Sequence, residues 1–481
     1  MHRAPIRAPP RRGRIRRRPS ERLLDAGPGV KADLEILTSL AKRRGFAYPS
    51  AEIYGGFQST WDYGPLGVEM KRQIRELWWR AVVQARDDVV GIEAAVITNP
   101  AVWRASGHVD HFTDPLVDCL ECRARVRADH IEDGACPSCG AVGRFTEERS
   151  FNLLFRTYVG PVEEDSSVAY LRPETAQGMF VNFENVLTSS RRRLPFGIAQ
   201  IGRSYRNEIT PGQFIFRTRE FEQMEMEYFC DPSESLDWHR YWKEERLRWY
   251  REALGVSPEL LRLRDHGADE LSHYSEATAD IEFRFPWGWG ELEGVAHRGD
   301  YDLRAHAGAS GRQLSYFDPE RQEHLVPHVV EPAVGVDRIL IALLFAAYDE
   351  ETDDRGERRV VLRLTPDVAP VEVAVLPLSR NERLVPTARA VWERLRPHFR
   401  TQYDDAQSIG RRYRRQDEIG TPQCVTVDFD TLDDDAVTIR DRDTMQQVRV
   451  PVAGLVQALG ERIEASRPPA GPAVETPARG S

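Results

Sequence analysis

Two stretches of sequence decide the fold: FGIAQIGRSYRNE at residues 196–208 and FRTREFEQMEMEYF at residues 216–229. Apolar and polar residues alternate in both, as they do in β-strands. Pro211 and Gly212 lie between the two stretches and favour a turn. We therefore expect two strands, at 196–206 and 214–229, joined as a hairpin by a loop of about seven residues.

One face of this hairpin would carry an unusual number of charged side chains, because alternate residues of a strand point to the same side. The residues of that face are Arg206, Glu208, Arg217, Arg219, Phe221, Gln223 and Glu225. So much charge is unfavourable inside a core. The pattern alone leaves two interpretations open, a binding surface for a charged ligand and a solvated sheet face carrying ion pairs.

A third motif, EPAVGVDR at residues 331–338, lies where a strand-like piece turns at Gly335 and continues as an apolar helix up to residue 348. Arg338 would lie in the first turns of that helix. An arginine there could bind an anionic ligand, or it could serve only as a cap or in a salt bridge.

The surrounding sequence predicts a large antiparallel sheet flanked by amphipathic helices. Further strands are expected at 279–285 and 291–297, and helices at 33–44 and 68–84. From about residue 364 to 465, strands at 372–376 and 424–429 alternate with a helix near 385–396, which predicts a separate small α/β domain.

Composition limits the classes of function. The net charge of −10 argues against a protein that binds nucleic acid through general basicity. No apolar run approaches the roughly 18 residues of a membrane span, so we expect a cytoplasmic protein without membrane contact. Residues 1–29 are rich in Arg and Pro and residues 467–481 in Pro, Ala and Gly, and both are expected to be disordered. The first could also be an organelle transit peptide, an arm that contacts nucleic acid or sequence upstream of the true start.

Four of the six cysteines form two CxxC pairs, Cys119 with Cys122 and Cys136 with Cys139. Each pair can direct two thiolates at one ion, and together they supply the four ligands of a closed, structural Zn²⁺ site. The alternative is a pair of redox-active or coincidental cysteines. Cys230 and Cys424 are isolated, and we expect them to be buried thiols.

The two hairpin stretches resemble motif 2 of class II aminoacyl-tRNA synthetases, and EPAVGVDR resembles motif 3. Within that class, EIYGGFQSTWDYGPLGVEMK (52–71), YLRPETAQGMFVNF (170–183) and PWGWGELEGVAHRGDYDL (286–303) resemble the homodimeric glycyl-tRNA synthetases. The resemblance covers roughly residues 33–465. It implies an α+β fold in which residues 30–360 form a catalytic domain, with a zinc-bearing insertion near 115–145. Residues 361–466 would form an anticodon-binding domain.

The resemblance also implies an activity, the ATP-dependent activation of glycine and its transfer to tRNA(Gly), and a set of site residues. Arg206 and Arg338 would be catalytic, holding the α- and γ-phosphates. The ATP site would comprise Arg206, Asn207, Glu208, Phe216, Arg217, Thr218, Arg219, Glu220, Phe221, Glu291, Leu292, Gly335, Val336, Asp337 and Arg338. The glycine site would comprise Arg127, Glu174, Phe221, Glu222, Gln223, Met224, Glu225, Glu331, Pro332, Ala333, Val334 and Gly335. Ala333 departs from the family pattern, in which Ser is common.

Partners follow from the same resemblance. Glu291 would bind Mg²⁺ with ATP, and the helix at 68–83, with Trp78 and Trp79, would pair with a second copy. Arg411, Arg412, Arg414 and Arg415 form the densest basic cluster and could bind tRNA, or they could pair internally with Asp417 and Glu418. The rival hypothesis is a catalytically silent, synthetase-like protein that binds nucleic acid. The retention of Arg206, Glu208, Arg338 and Glu174 favours the enzyme.

Overall fold

The computed structural model describes residues 29–131, 133–267, 269–271, 275–352, 356–469 and 471–477. The predicted disorder of the Arg-rich start, up to residue 28, lies outside these ranges, as does that of residues 478–481. Within the described parts of the chain, none of the helices combines the length and apolar composition needed to cross a membrane.

The α-helices are α1 (Leu34–Arg44), α2 (Pro65–Trp79), α3 (Pro100–Ala105), α4 (His108–His111), α5 (Ala176–Phe180), α6 (Phe183–Ser190), α7 (Ser235–Glu252), α8 (Tyr301–Ser310), α9 (Val336–Ala347), α10 (Leu384–Leu395), α11 (Ile409–Ile419), α12 (Thr431–Asp434) and α13 (Leu455–Ala465). The strands are β1 (Ala47–Pro49), β2 (Trp61–Tyr63), β3 (Val89–Gly91), β4 (Thr113–Asp118), β5 (Arg125–Arg127), β6 (Arg149–Asn152), β7 (Phe155–Tyr158), β8 (Val168–Leu171), β9 (Phe196–Tyr205), β10 (Glu220–Cys230), β11 (Leu261–Asp265), β12 (Ala277–Phe285), β13 (Gly288–Gly299), β14 (Tyr316–Asp318), β15 (Glu323–Leu325), β16 (His328–Gly335), β17 (Tyr348–Thr352), β18 (Arg358–Leu362), β19 (Val373–Pro377), β20 (Thr401–Tyr403), β21 (Gln423–Val427), β22 (Ala436–Asp441) and β23 (Gln447–Pro451).

The centre of the larger, N-terminal domain is a seven-stranded sheet in the order β11-β12-β13-β16-β10-β9-β3. All neighbours in it are antiparallel except β3 and β9, which run parallel. The predicted large antiparallel sheet is thus confirmed. The two motif stretches form its β9 and β10, with Phe221 opposite Ser204.

The hairpin loop, however, is longer than predicted. Strand β9 ends at Tyr205 and β10 begins only at Glu220, so residues 206–219 connect them. The predicted strand start at Phe214 is wrong because Gln213 and Phe214 both adopt a positive φ, which a strand does not allow. The turn directs Phe214 into the core, where its ring meets Trp61 edge-on at 4.7 Å. The ligand-facing residues of this motif therefore lie mostly on a loop.

Helices α1, α2, α7 and α9 share one continuous apolar core with the sheet. Helix α1 begins at a capping Asp33, whose side chain accepts a hydrogen bond from the Ile36 backbone N–H at 2.8 Å. It ends at Gly45, whose φ of 82° an L side chain rarely adopts. Helix α9 follows directly from β16 at Gly335 and is buried on nearly every side.

The tryptophans of α2 are less available to a partner than the sequence suggests. Trp78 is only 1% exposed inside the core, and the ring of Trp79 packs so closely on Gly91 that a Cβ there would lie 2.1 Å from it. The apolar stripe of α2 is thus largely hidden within one chain. Val68 in the first turns of α2 is 52% exposed, and the most exposed apolar residues lie on the preceding segment, where Ile53 is 88% and Tyr54 87% exposed.

The cysteine-bearing insertion is a small three-stranded sheet in the order β5-β4-β6. It reaches beyond the predicted limits, from Thr113 to Asn152, because β6 pairs with the start of β4. At the other end of the chain, residues 471–477 have no regular secondary structure, but Val474 packs against the catalytic core.

The C-terminal domain has its own five-stranded sheet, β20-β19-β21-β22-β23, and its own apolar cores with α10, α11 and α13. The separate α/β domain is thus confirmed.

The basic cluster on α11 does not form a continuous exposed patch. Arg412 is buried and donates to the backbone carbonyls of Pro377, Asp405 and Gln407, so it cannot face tRNA.

The acidic residues of α11 join the two domains. Asp417 is buried and accepts from Arg440 at 2.9 Å and from Arg359 at 2.8 Å, the latter on β18. Glu418 accepts from Arg44 of α1 at 2.6 Å. The ion pairs that involve Asp417 and Glu418 therefore do not run to the arginines of α11 itself.

Replacement of Asp417 by Ala should destabilise this junction strongly, because the buried Arg440 would lose its counter-charge and Arg359 would keep only Glu351. We expect a loss on the order of 3–5 kcal/mol, seen as an earlier denaturant transition by circular dichroism. Asp433→Ala, at an exposed position of α12, is the matched control and should change stability by less than about 0.5 kcal/mol. Equal transitions for both variants would show that the buried triad contributes little.

Candidate active site

A cavity of about 300 Å³ opens on the face of the central sheet formed by β10, β13 and β16. Most residues predicted from the three motifs line it, although the motifs are far apart in the chain. These residues are Glu174, Arg206, Glu208, Phe216, Arg217, Thr218, Phe221, Gln223, Glu225, Glu291, Leu292, Glu331, Ala333, Val334, Gly335, Asp337 and Arg338.

Eight predicted residues do not line the cavity: Arg127, Asn207, Arg219, Glu220, Glu222, Met224, Pro332 and Val336. Strand alternation explains Met224, which points into the core. Arg219 is held instead by the backbone carbonyls of Gln58 and Glu208. Arg127 is engaged by Asp114 at 2.8 Å and Asp129 at 2.6 Å.

Six residues line the cavity that sequence reasoning missed: Ile215, His266, Thr278, Asp280, Gly294 and Ala296. Four of them lie on β12 and β13, at alternate positions of strands that the sequence did predict. The alternation beside Glu291 and Leu292 was therefore a usable signal for Gly294 and Ala296. His266 and Asp280 lie 2.8 Å apart as a polar pair at the rim.

One end of the cavity is positively charged. Arg206 donates to the Pro173 carbonyl at 3.0 Å, and its guanidinium lies 5.4 Å from the ring centres of both Phe112 and Phe221. Its remaining N–H groups are thus positioned beside an aromatic face. Arginines so placed suit an anion such as a phosphate.

Arg338 lies at the same end, on the first turn of α9. Its guanidinium is 4.7 Å from the centre of the Phe216 ring and 3.1 Å from a carboxylate oxygen of Glu291. Arg338 lowers the pKa of Glu291, so that carboxylate is ionised at neutral pH. The pair places one fixed cation and one fixed anion within reach of the same ligand.

The cavity lining also contains buried carboxylates. Glu331 accepts from Arg298 at 2.8 Å, and Arg298 also holds Asp302 at 2.8 Å. Glu174 lies 3.3 Å from His108 and accepts from Gln177 at 3.0 Å. Burial alone would raise the pKa of Glu174, but His108 and Arg298 hold it well below its usual range.

The protonation state of Glu225 is set by the charged groups around it. Glu225 accepts from the Thr175 backbone N–H at 3.0 Å. Burial, together with the charges of Glu331 and Glu174, raises the pKa of Glu225 to about 8. A bound cation would lower the pKa of Glu225 and favour its ionised form. This part of the cavity therefore suits an ammonium group.

Glu227 is a further carboxyl behind these three. It is fully buried on the same face of β10 as Glu225, and burial and Glu331 raise its pKa. Neither of its oxygens has a hydrogen-bond donor among the described residues. Burial without a hydrogen-bond donor favours the protonated form of such a carboxyl group. The alternation in EFEQMEMEYF was a sufficient signal to place it beside Glu225.

The four CxxC cysteines meet in the insertion, away from the cavity. Their sulfurs all lie within 4.8 Å of one another, with Cys119 and Cys139 at 3.7 Å and Cys122 and Cys136 at 3.8 Å. These separations are those expected of four thiolates around one tetrahedral Zn²⁺. The donor set therefore fits a zinc ion.

Comparison with known proteins agrees with this architecture. Residues 161–347 match the family model for the tRNA synthetase class II core domain (G, H, P, S and T), and residues 372–462 match the anticodon binding domain. The chain is 55% identical over 453 residues to a protein named Glycine--tRNA ligase from Thermobifida fusca, covering 89% of this chain and 98% of the relative.

Proteins of the same name from other bacteria are similarly related. One from Streptomyces coelicolor is 55% identical over 453 residues, covering 89% of this chain and 98% of the relative. One from Caldanaerobacter subterraneus is 52% identical over 463 residues, covering 90% of this chain and 99% of the relative. Two matching domains and this level of identity along nearly the whole chain mean that it belongs to the glycine--tRNA ligase family of class II aminoacyl-tRNA synthetases.

Proposed function

We propose that the cavity activates glycine with ATP and that the resulting glycyl group is transferred to the 3′ end of tRNA(Gly). The observation that carries the proposal is that one cavity combines two arginines, Arg206 and Arg338, with the carboxylates of Glu174, Glu225 and Glu331. Glycine consists of little more than a carboxylate and an ammonium. The cavity can therefore orient glycine with its carboxylate towards ATP and its ammonium group towards the carboxylates of the protein.

In the first step, a glycine carboxylate oxygen forms a bond to the α-phosphorus of ATP, and the bond to the bridging oxygen breaks to release diphosphate. Both reactants are anionic, so positive charge must lower their repulsion and stabilise the transition state. Arg206 is assigned to the α-phosphate and Arg338 to the γ-phosphate. No general base is required, because the attacking carboxylate is already ionised. A ribose hydroxyl of tRNA then displaces AMP.

Mg²⁺ is the cation that the phosphates would bring, and it prefers oxygen ligands. Glu291 is the residue that would bind it, since its carboxylate borders the cavity beside Arg338 and is ionised. The adenine would lie against Phe221, with Glu208 accepting from its amino group. Arg217 and Thr218 border the same part of the cavity.

Selection of glycine would rest on the lack of room for a side chain. Gly294, Ala296 and Ala333 border the cavity near Glu331, and each presents little or no side chain. Ala333 offers no hydroxyl, so the ammonium would be held by the carboxylates alone. Discrimination by a single methyl group is limited to about 1–3 kcal/mol from packing, unless the extra group also disturbs the polar contacts.

The proposed reaction is tested by pyrophosphate exchange into ATP with glycine, alanine, serine and proline as alternative substrates. We expect exchange with glycine to exceed that with alanine by about 10-fold to 200-fold or more. Absence of exchange with every amino acid, in a protein that still binds tRNA, would instead favour the silent nucleic-acid-binding alternative.

Arg338→Ala should reduce glycine-dependent exchange by about 10-fold to 1000-fold, because it removes a charge-assisted contact worth on the order of 2–4 kcal/mol in the transition state. Arg240→Ala, at an exposed position of α7, is the matched control and should exchange at the wild-type rate. If a folded Arg338→Ala protein also exchanges at that rate, the arginine has only a structural role.

The KM for glycine should depend on pH through Glu225. The empty enzyme holds this carboxyl protonated below a pKa of about 8, whereas an ammonium ligand requires the carboxylate. Binding therefore releases a proton below that pH, and the KM should fall by up to about tenfold per pH unit as the pH rises towards 8. Above that value it should level off. Glu225→Gln should raise the KM and remove this dependence; a flat wild-type profile between about pH 6.5 and 8 would contradict the assignment.

We propose that the cysteine cluster holds a structural Zn²⁺. Cys136→Ser should lower the zinc content of the purified protein by about one ion per chain and reduce its thermal midpoint, because one of four ligands is lost. Ser138→Ala, at an exposed position of the same knuckle, should leave both unchanged. An unaltered zinc content in the Cys136 variant would exclude these cysteines as the ligands.

A homodimer and a cytoplasmic location complete the proposal. Support for the dimer comes from the exposed loop that contains Ile53, Tyr54 and Phe57 beside α2, and light scattering at micromolar concentration tests it. Contacts with tRNA would have to use Arg411, which is exposed, rather than the buried Arg412. Arg127 remains a proposed glycine-site residue only if it leaves its two aspartates when substrate binds.

A further inference from the structure

Three potential metal ligands meet on the side of the central sheet away from the cavity. Glu276 directly precedes β12, His297 lies near the end of β13, and His328 begins β16. Their ligand atoms all lie within 4.8 Å of one another. None of the three was assigned a role from the sequence, and none lines the active-site cavity.

The strand alternation fixes the face that the two histidines occupy, and the contact of Glu276 with His297 places the carboxylate beside them. Glu331 and Ala333 of β16 border the cavity, so His328 points to the opposite face, which α7 covers. On β13, Ala296 borders the cavity and His297 points away from it. Contacts from α7 agree with this placement. Ser235 lies 3.3 Å from Nδ1 of His328, and the His239 ring centre lies 6.3 Å from that of His297.

His297 is the unusual member of the group. Its side chain is 0% exposed, yet neither ring nitrogen has a hydrogen-bond partner among the described residues. The nearest charged atom is Oε2 of Glu276, 3.3 Å from Nδ1, without the geometry of a hydrogen bond. A buried polar group left without a partner is rare in proteins and calls for a ligand.

The other two groups complete a set of donors. The His328 ring is 5.4 Å from that of His297 at an angle of 80°, and Ser235 can fix its orientation, as second contacts of metal-bound histidines commonly do. Glu276 is 61% exposed, so an ion can reach the cluster from solvent.

We propose that Glu276, His297 and His328 form a second metal site, which takes Zn²⁺ or a similar divalent transition metal. Two imidazoles and one carboxylate are ligands that Zn²⁺ prefers, and three protein ligands leave a fourth position for water. The ion would join the ends of β12, β13 and β16. Arg298, the next residue after His297, points to the other face and holds Glu331. The site would therefore stiffen the strands that position the carboxylates of the cavity.

Zinc analysis of the full-length protein tests the site, with the cysteine cluster as an internal reference. After removal of loosely bound metal and reloading with Zn²⁺, the wild-type protein should hold about two ions per chain, one in each site. His328→Asn and Glu276→Gln should each lower the content by about one, because each removes a ligand. His324→Asn and Glu323→Gln, at exposed positions of β15, are the matched controls and should keep both ions.

Isothermal titration provides a second measurement that does not depend on the proposed reaction. With the cysteine cluster already filled, added Zn²⁺ should bind the wild-type protein at one further site, and binding should be weakened at least tenfold in His328→Asn and in Glu276→Gln. Because Glu276 is exposed, the second variant should fold normally. A wild-type protein that holds about one zinc and shows no further binding would overturn the proposal.

Discussion

The burial of negative charge on one face of β10 is the constraint on which the rest of the catalytic domain depends. Glu225 and Glu227 point from that face towards Glu331 of β16, and the three carboxyl groups lie within 4.8 Å of one another. Such a cluster is stable only if protons or cations neutralise part of its charge. Arg298 and a raised pKa at Glu225 and Glu227 do so in the free protein. An ammonium ligand would do so in the working enzyme.

The same strand also carries the core. Met224, Met226 and Tyr228 alternate with the carboxylates along β10, so they point to the other side of the sheet and pack against the helices. The alternation of side chains along β10 therefore places apolar residues in the core and carboxylates at the cavity. A shift of one residue in the strand register would exchange the two sets. The antiparallel pairing with β9 and β16 holds the register over nearly the whole strand. The rigid sheet fixes the carboxylates, whereas the arginines depend on the loop 206–219 and on the start of α9.

The charged residues outside the cavity have mainly structural roles. Arg412 and Asp417 form buried contacts within and between the domains, although the sequence predicts Arg412 to belong to a basic patch that could bind tRNA. An arginine that donates to several backbone carbonyls cannot be told from an exposed one by its neighbours in sequence. The difference arises because α11 packs its basic side chains against loops that are distant in the chain.

The sequence by itself determined the class of fold, the motif residues and the four cysteines, because strand alternation, helix periodicity and CxxC spacing are local properties. It did not determine that Arg217 lies on a loop or that Trp78 is buried. Nor did it determine that His266 and Asp280 line the cavity and that Glu227 lies behind it. Positive φ at Gln213 and Phe214 depends on the core that receives Phe214. The tertiary structure alone decided which side chains meet across strands. Charge, pKa and ligand sets depend on those meetings, since electrostatic interaction is set by distance in space and by burial rather than by position in the chain.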